Sequence, residues 1–227
     1  MARRGVLGLF AGGVVALLGA CGLFGGNRYR FRMTVEVETP QGLKTGSSVY
    51  EVLAFKTSEL ITGGTSSNAT LKGEALAVDL PGGKTLFALL RMANGTSSDD
   101  HIGIMSMKAM DPAMINTEKD RTARRISSGD GIKSPVEVAP VDYPLLVTFA
   151  DNSDPTSLVR VDPTNLAVNF GVDVKLKRIV VEITKEHVTV GLEKRLRWLN
   201  HLDQFRRDNS NPFTSKLPSE VRYLRKI

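Results

Sequence analysis

The sequence is poor in the residues that carry much of the chemistry of small domains. Its 227 residues include one cysteine, Cys21, and three histidines. One cysteine excludes an internal disulfide, although it does not exclude an oxidising compartment. His101, His187 and His201 are far apart, with no ligand spacing of two or four residues, and Asp99–His101 would need distant ligands to hold a metal. We therefore expect neither a metal nor a cofactor.

Three short motifs begin like known functional sequences, but each is incomplete. Gly82–Thr85 read GGKT, yet Val78 stands where a P-loop needs a glycine, and a strand is expected to follow. Residues 151–154 read DNSD without the later glycine and glutamate of a calcium loop. Gly46–Ser48 does not form the G-x-S-x-G elbow. We expect turns at the first two places and no chemistry at the third.

The composition is that of a globular protein with an uneven charge. Hydrophobic residues make up 41% and charged residues 24% of the chain. The formal net charge is +6, and the chain from Lys175 onward holds 13 basic and 6 acidic residues. Such a segment can contact nucleic acid or an anionic membrane. A solvated helix face is the commoner explanation, and we expect no nucleic-acid partner.

The N-terminus has the three-part layout of a secretory signal. Arg3 and Arg4 form a basic start, an uncharged stretch follows, and small residues precede Cys21. The sequence LGAC that ends at Cys21 resembles the lipobox of bacterial lipoproteins. This resemblance implies cleavage before Cys21, a thioether lipid on its sulfur and acylation of its new amino group. Two or three acyl chains would hold a soluble domain at a membrane, whereas one chain is marginal.

An uncleaved membrane helix is the alternative for this segment. Residues 5–26 form 22 uncharged positions, which is long enough to span a bilayer. With a lipobox, residues 1–20 are a signal peptide, 21–27 a lipidated cysteine with a glycine-rich spacer, and 28–227 a single domain. Either anchor places the domain in the bacterial envelope, facing the periplasm. By resemblance to enterobacterial sorting, where aspartate after the cysteine retains lipoproteins in the inner membrane, Gly22 favours the outer membrane.

Alternating polar and apolar residues predict a strand-rich body. In RYRFRMTVEVETP the apolar side chains would face one way and the charged ones the other; the apolar set is Tyr29, Phe31, Met33, Val35 and Val37. Further strands are expected in SSVYEVLAFK, TLKGEALAVDL, KTLFALLRM, YPLLVTFAD, TSLVRV and VKLKRIVVEITKE. PGGK is expected to be the hairpin turn between TLKGEALAVDL and KTLFALLRM.

Helices are expected at three places. The first is Asp99–Met110. The second is DPTNLAVNFG, where Asp162 suits the N-cap, Pro163 the first helical position and Gly171 the position past the end. The third is TVGLEKRLRWLNHLDQFRR, whose apolar residues recur every three or four positions; they are Leu192, Leu196, Leu199, Leu202 and Phe205.

The remaining polar segments are expected to be a loop and a docked tail. TEKDRTARRISSGDGIKSP is expected to be a surface loop. The tail carries Phe213, Leu217, Tyr223 and Leu224, which would pack on the domain. Together these elements predict an α+β fold, strand-rich and mainly antiparallel, with two or three helices; a β-sandwich is the alternative.

Several blocks of the body resemble a family of uncharacterised bacterial membrane-anchored proteins. They are TVEVETPQGLKTGSSVYEV, YPLLVTFADNSDPTSLVRVDPTNLAVNFG and VKLKRIVVEIT with VTVGLEKRLRWL. The blocks cover under half of the chain. The resemblance implies bacterial origin and envelope placement, and it supplies no activity, ligand or catalytic residue.

Three hypotheses about function follow. The first is a membrane-anchored envelope lipoprotein that acts as a non-enzymatic binding or structural module, with an envelope protein or polymer as partner. The second is an envelope hydrolase whose serine, histidine and aspartate assemble in space, with His101 or His187 as the base. The third is binding of anionic lipid or glycan by the basic C-terminal segment, with Trp198 at the interface. For Trp198 and the leucines, packing on the sheet is the favoured expectation.

Overall fold

The computed structural model of the protein describes residues 26–57, 66–96, 101–205 and 217–226. Within them the strands are β1 (Asn27–Thr39), β2 (Gly42–Thr57), β3 (Ser66–Glu74), β4 (Leu76–Asp79), β5 (Thr85–Met92), β6 (Val136–Glu137), β7 (Pro144–Phe149), β8 (Leu158–Arg160), β9 (Lys175–Ile183) and β10 (Arg225–Lys226). The α-helices are α1 (Ile102–Met110), α2 (Lys119–Ser128) and α3 (Ala167–Phe170). Predictions for the leader, Cys21, Asp99 and Phe213 concern positions outside the described residues.

Six strands form a large antiparallel sheet in the order β10-β3-β2-β1-β9-β6. Its β1–β2 hairpin runs from Asn27 opposite Ala54 to Thr39 opposite Gly42. The predicted alternation is confirmed, because the apolar residues of β1 from Tyr29 to Val37 are buried and the residues between them are not. Each large apolar side chain buried in this way contributes about 1.5–3 kcal/mol, so β1 alone supplies much of the core.

Four strands form a smaller antiparallel sheet in the order β4-β5-β7-β8. The predicted single strand TLKGEALAVDL is wrong, because β3 ends at Glu74 in the large sheet and β4 begins at Leu76 in the small one. Gly73 makes the change of direction possible: its φ is +151°, and a Cβ there would come within 2.6 Å of the Tyr50 ring. The turn predicted at PGGK is confirmed between β4 and β5.

The small sheet is buried on both faces, which explains the nearly continuous apolar run of β5. Leu86, Ala88 and Leu90 contribute to the main core with the large sheet and α1. Phe87 and Leu89, on the opposite face of β5, belong to a second core. The C-terminal segment covers that second core, so this part of the molecule has three layers.

Two helices pack against the main core. The first helix was predicted from Asp99, but α1 begins at Ile102, with His101 as its N-cap. The surface loop predicted at TEKDRTARRISSGDGIKSP is wrong, because its first half contains α2. Only Ala123 and Ile126 are apolar core residues on this helix, so the stripe is too narrow to stand out in the sequence. The helix ends at Gly129, whose φ is +75°.

The amphipathic α-helix predicted near the C-terminus is also wrong. The segment forms 3₁₀ turns at Leu192–Lys194 and Arg197–Phe205. The packing expected for its leucines is confirmed for the ones that are described, since Leu196 and Leu199 are buried in the second core. The tail also docks there as predicted: Leu224 is buried, and Leu217 and Tyr223 pack at the edge of the core.

The helix predicted over DPTNLAVNFG is shorter than expected. Only Ala167–Phe170 is helical, and Gly171 follows with a φ of +106°. The carboxylate of Asp162 accepts the N–H of Thr164 at 2.8 Å and its hydroxyl at 2.7 Å. These local bonds form a separate turn that competes with the helix start, and they lower the pKa of Asp162.

The fold class predicted from the sequence is confirmed. The described chain is α+β and strand-rich, with two antiparallel sheets and three α-helices. In this part of the chain, no helix is long and apolar enough to cross a membrane.

Candidate functional site

The outer face of the large sheet is the face on which β1 presents its charged residues. Because side chains alternate along a strand, Arg28, Arg30, Arg32, Thr34 and Glu36 share this face while the apolar residues between them enter the core. All five are exposed or half-buried. The outer face therefore carries a row of mostly charged side chains that take no part in the core.

Carboxylates on neighbouring strands pair with the arginines of this row. Glu51 on β2 accepts Arg28 at 3.0 Å and Arg30 at 2.9 Å. Arg32 donates to Glu182 on β9 at 2.6 Å and also to Glu186. Cross-strand pairs of opposite charge stabilise a sheet modestly, so the row helps fix the register of β1, β2 and β9.

The other end of the same face, near the β1–β2 turn, is held by Glu36. Its carboxylate accepts Arg178 at 2.9 and 3.0 Å and lies 3.5 Å from the ammonium of Lys177. The hydrogen bonds from Arg178 lower the pKa of Glu36 below its usual range. The charged side chains at this end of the sheet therefore pair with one another.

The end of the sheet where β1 begins carries a concave site, which we call the basic cleft. Its lining consists of Arg28, Glu51, Leu53, Thr70, Leu71, Lys72 and Lys226. The cleft has a volume of about 360 Å³. Of the described residues, three cationic side chains and one carboxylate line it, and Arg30 binds that carboxylate as well. Within the described chain, neither Lys72 nor Lys226 has an ion pair.

His101 is a structural residue at the start of α1. Its Nδ1 accepts the N–H of Gly103 at 3.1 Å, so Nε2 carries the proton and donates to the carbonyl of Ala69 at 3.1 Å. The side chain is 6% exposed. Both ring nitrogens thus serve backbone groups, as expected for a histidine that caps a helix.

The other two histidines are exposed and lie elsewhere. His187 is in the connection after β9, which crosses the outer face beside Arg30, since Arg30 donates to the carbonyl of Glu186 at 3.3 Å. His201 is in the last 3₁₀ segment. The three histidines therefore lie in different parts of the fold, and among the described residues no group of histidine, cysteine, aspartate and glutamate could hold a metal.

Two buried carboxylates join distant segments. Glu74, at 2% exposure, accepts Nε of Arg225 at 2.5 Å and the N–H of Leu192 at 2.8 Å. Asp111, at 1% exposure, accepts Nη1 of Arg125 at 2.6 and 2.7 Å. Glu74 fixes the C-terminal segment to β3, and Asp111 joins the end of α1 to α2. Buried charges need such partners, so these groups are accounted for by the fold.

Trp198 is part of the second core. It is 9% exposed, its ring lies 5.5 Å from that of Phe149, and its Nε1 donates to the carbonyl of Asn152 at 2.9 Å. Arg195 pairs with Asp79 at 2.5 and 2.8 Å; its hydrogen bonds lower the pKa of Asp79. The favoured expectation of packing is confirmed for Trp198 and for the leucines whose side chains are described.

Two of the incomplete motifs form turns, as expected, and Gly46–Ser48 lies within β2. Gly82 and Gly83 lie in the turn before β5, so a strand follows where a P-loop would need a helix. In DNSD, the carboxylate of Asp151 accepts the N–H of Ser153 at 2.7 Å, and that of Asp154 accepts the N–H of Thr156 at 2.8 Å. Asx turns account for both aspartates.

The sequence did not reveal the basic cleft. Arg28, Lys72 and Lys226 come from three different strands and are separated by more than forty residues at each step. Only the neighbouring order of β1, β2, β3 and β10 brings them together.

No protein-family model, curated protein or solved structure matches this chain.

Proposed function

We propose that the protein is a membrane-anchored lipoprotein of the bacterial envelope, whose folded domain is a non-enzymatic binding or structural module. The observation that carries the proposal is the position of the first strand. β1 begins at Asn27, six residues after Cys21 in the lipobox-like sequence. A chain this short spans at most about 22 Å when extended. Lipid on Cys21 would therefore hold the start of the large sheet close to the membrane surface.

The internal use of the buried polar groups supports a binding or structural role. His101 caps α1, Glu74 fixes the C-terminal segment, and Asp111 joins two helices. Each group has partners that explain its burial without a substrate. The contact surface would then be an exposed one, and the partner is expected among the proteins, polymers or lipids of the envelope.

Mass spectrometry of the mature N-terminus tests the anchor. In the membrane fraction of a bacterial host, the wild-type chain is expected to begin at Cys21 and to carry the added mass of a diacylglyceryl group and an amide-linked acyl chain. Cys21→Ser removes the thiol and is expected to keep its leader. An intact leader with an unmodified Cys21 in the wild type would contradict the proposal and favour an uncleaved helix.

A further inference from the structure

The basic cleft has a surplus of cationic groups that the fold does not neutralise. Glu51 is the one carboxylate among the described residues that line it, and Arg28 and Arg30 both bind it. Lys72 lies directly opposite Glu51 on β3, yet the two form no ion pair. Both Lys72 and Lys226 are exposed. An anion in the cleft could therefore contact two ammonium groups that form no ion pair with a described side chain.

The guanidinium of Arg28 leaves donors available on the same side. Among the described residues, Arg28 uses only its Nη1, in the bond to Glu51, and the side chain is 58% exposed. A guanidinium has five N–H donors in a planar fork that suits phosphate oxygens. Arg28 and Lys72 lie two strands apart and are offset by two residues along the strands, so their Cα atoms are about 12 Å apart. Cations at this spacing can contact one anionic group from opposite sides.

The size and lining of the cleft suit a headgroup better than a bare ion. Its volume of about 360 Å³ is at the lower end of the range of about 300–1,000 Å³ for small-molecule sites. Leu53 supplies apolar surface, and the hydroxyl of Thr70 donates to the carbonyl of Leu53 at 3.4 Å. Cations around such a mixed lining suit a phosphate attached to a small polar or glycerol group.

We propose that the basic cleft binds the phosphate of an anionic ligand, with the headgroup of a membrane phospholipid as the expected source. The lipid source rests on the proposed anchor, because Arg28 follows Cys21 by seven residues, about 25 Å at most. Basic groups near an anionic bilayer are attracted within a Debye length of about 8 Å. The phosphate site itself stands without the anchor.

Phosphorus NMR on the full chain in non-ionic detergent tests the site. One titration uses short-chain phosphatidylglycerol and the other uses inorganic phosphate. The test variant is Lys72→Gln with Lys226→Gln. The matched control is Lys44→Gln with Lys175→Gln, which removes the same charge from the far end of the sheet, about 20–27 Å away along β1. All four lysines lie at the surface or partly exposed, and circular dichroism checks that both variants fold.

The wild type is expected to broaden the phosphorus signal on binding. A lysine near an anionic surface contributes about 1 kcal/mol to binding, so loss of Lys72 and Lys226 is expected to weaken the affinity about thirtyfold. The control variant is expected to bind like the wild type. Binding of phosphatidylglycerol alone identifies a lipid headgroup, and comparable binding of inorganic phosphate identifies a soluble phosphate as the source. No binding of either ligand, or equal weakening in both variants, would overturn the proposed site.

The outcome is independent of the anchor. The titration needs no lipid on Cys21, and the mass of the mature N-terminus needs no ligand in the cleft. A lipidated chain that binds neither phosphate compound would keep the proposed function and lose the site. An unlipidated chain that binds phosphatidylglycerol through Lys72 and Lys226 would lose the anchor and keep the site.

Discussion

Tyr29 and Tyr50 are two buried tyrosines whose hydroxyl groups are in opposite situations. The hydroxyl of Tyr29 is 2.7 Å from Oγ of Ser106 and 3.3 Å from the carbonyl of Gly103. The hydroxyl of Tyr50 is buried and makes no hydrogen bond of normal geometry with a described group, although Ser48 is the polar side chain beside it. Both tyrosines are on the inner face of the large sheet, and burial raises the pKa of each. The same substitution at the two positions should therefore change stability in opposite directions.

Replacement by phenylalanine removes one oxygen and leaves the ring in place. At Tyr50 the ring stacks on Phe31 at 5.1 Å, and this contact survives. An unsatisfied buried hydroxyl costs about 1–3 kcal/mol, so Tyr50→Phe is expected to raise the free energy of unfolding by about 1 kcal/mol. Tyr29→Phe removes the hydrogen bond with Ser106 and is expected to lower the free energy of unfolding by about 1 kcal/mol. Ser106 retains its bond to Gly103 at 2.8 Å, which limits that loss.

Thermal and urea unfolding of the two variants measure the difference. In a domain of this size, 1 kcal/mol shifts Tm by about 2–4 °C. We expect Tm to rise for Tyr50→Phe and to fall for Tyr29→Phe, with unchanged m-values in urea. Equal destabilisation by both substitutions would refute the reasoning, because it would mean that the Tyr50 hydroxyl has a partner in solution.

Two further predictions use Trp198, the one tryptophan of the chain, as a fluorescent reporter of the second core. Glu74→Gln breaks the buried ion pair with Arg225 and is expected to lower the free energy of unfolding by about 3 kcal/mol. The emission of Trp198 should then shift to the red at a lower urea concentration than in the wild type. Glu193→Gln removes a more exposed partner of Arg225 and is expected to lower the free energy of unfolding by about 1 kcal/mol or less. Equal costs would contradict a special role for Glu74. The pKa values of Glu36 and Asp79 are lowered in the folded protein. Their contribution to the free energy of unfolding is therefore complete above about pH 4–5 and is lost as the pH falls through the lowered values. The urea midpoint should drop over that range, and the drop should be smaller in Glu36→Gln.

The strands were the most predictable part of the fold because their signal is local. Strict alternation in β1 places every second residue in the core, and one face of an antiparallel sheet can remain exposed. The turn at PGGK was equally clear, because glycine tolerates the positive φ that Gly82 and Gly83 adopt. Both features depend on a few neighbouring residues, so neither required knowledge of the tertiary contacts.

The helical segments were harder, because their stability comes from contacts with distant residues. α2 presents only a narrow apolar stripe, and Asp111 on the preceding segment holds its Arg125. In the C-terminal segment, a leucine every three or four residues fits an α-helix and also fits 3₁₀ turns. Packing against Phe149 and the bond from Arg195 to Asp79 accompany the 3₁₀ form. Periodicity alone could not distinguish the two.

The sequence by itself determined the strand-rich character of the protein, the face of β1 that enters the core and the glycine-containing turns, because alternation and backbone conformation are local properties. Only the tertiary structure decided that β3 and β4 belong to different sheets and that Glu74 fixes the C-terminal segment. It also decided that Arg28, Lys72 and Lys226 line one cleft. Such a cleft depends on which strands become neighbours, and strand order is set by the burial of the whole core rather than by any short stretch of sequence.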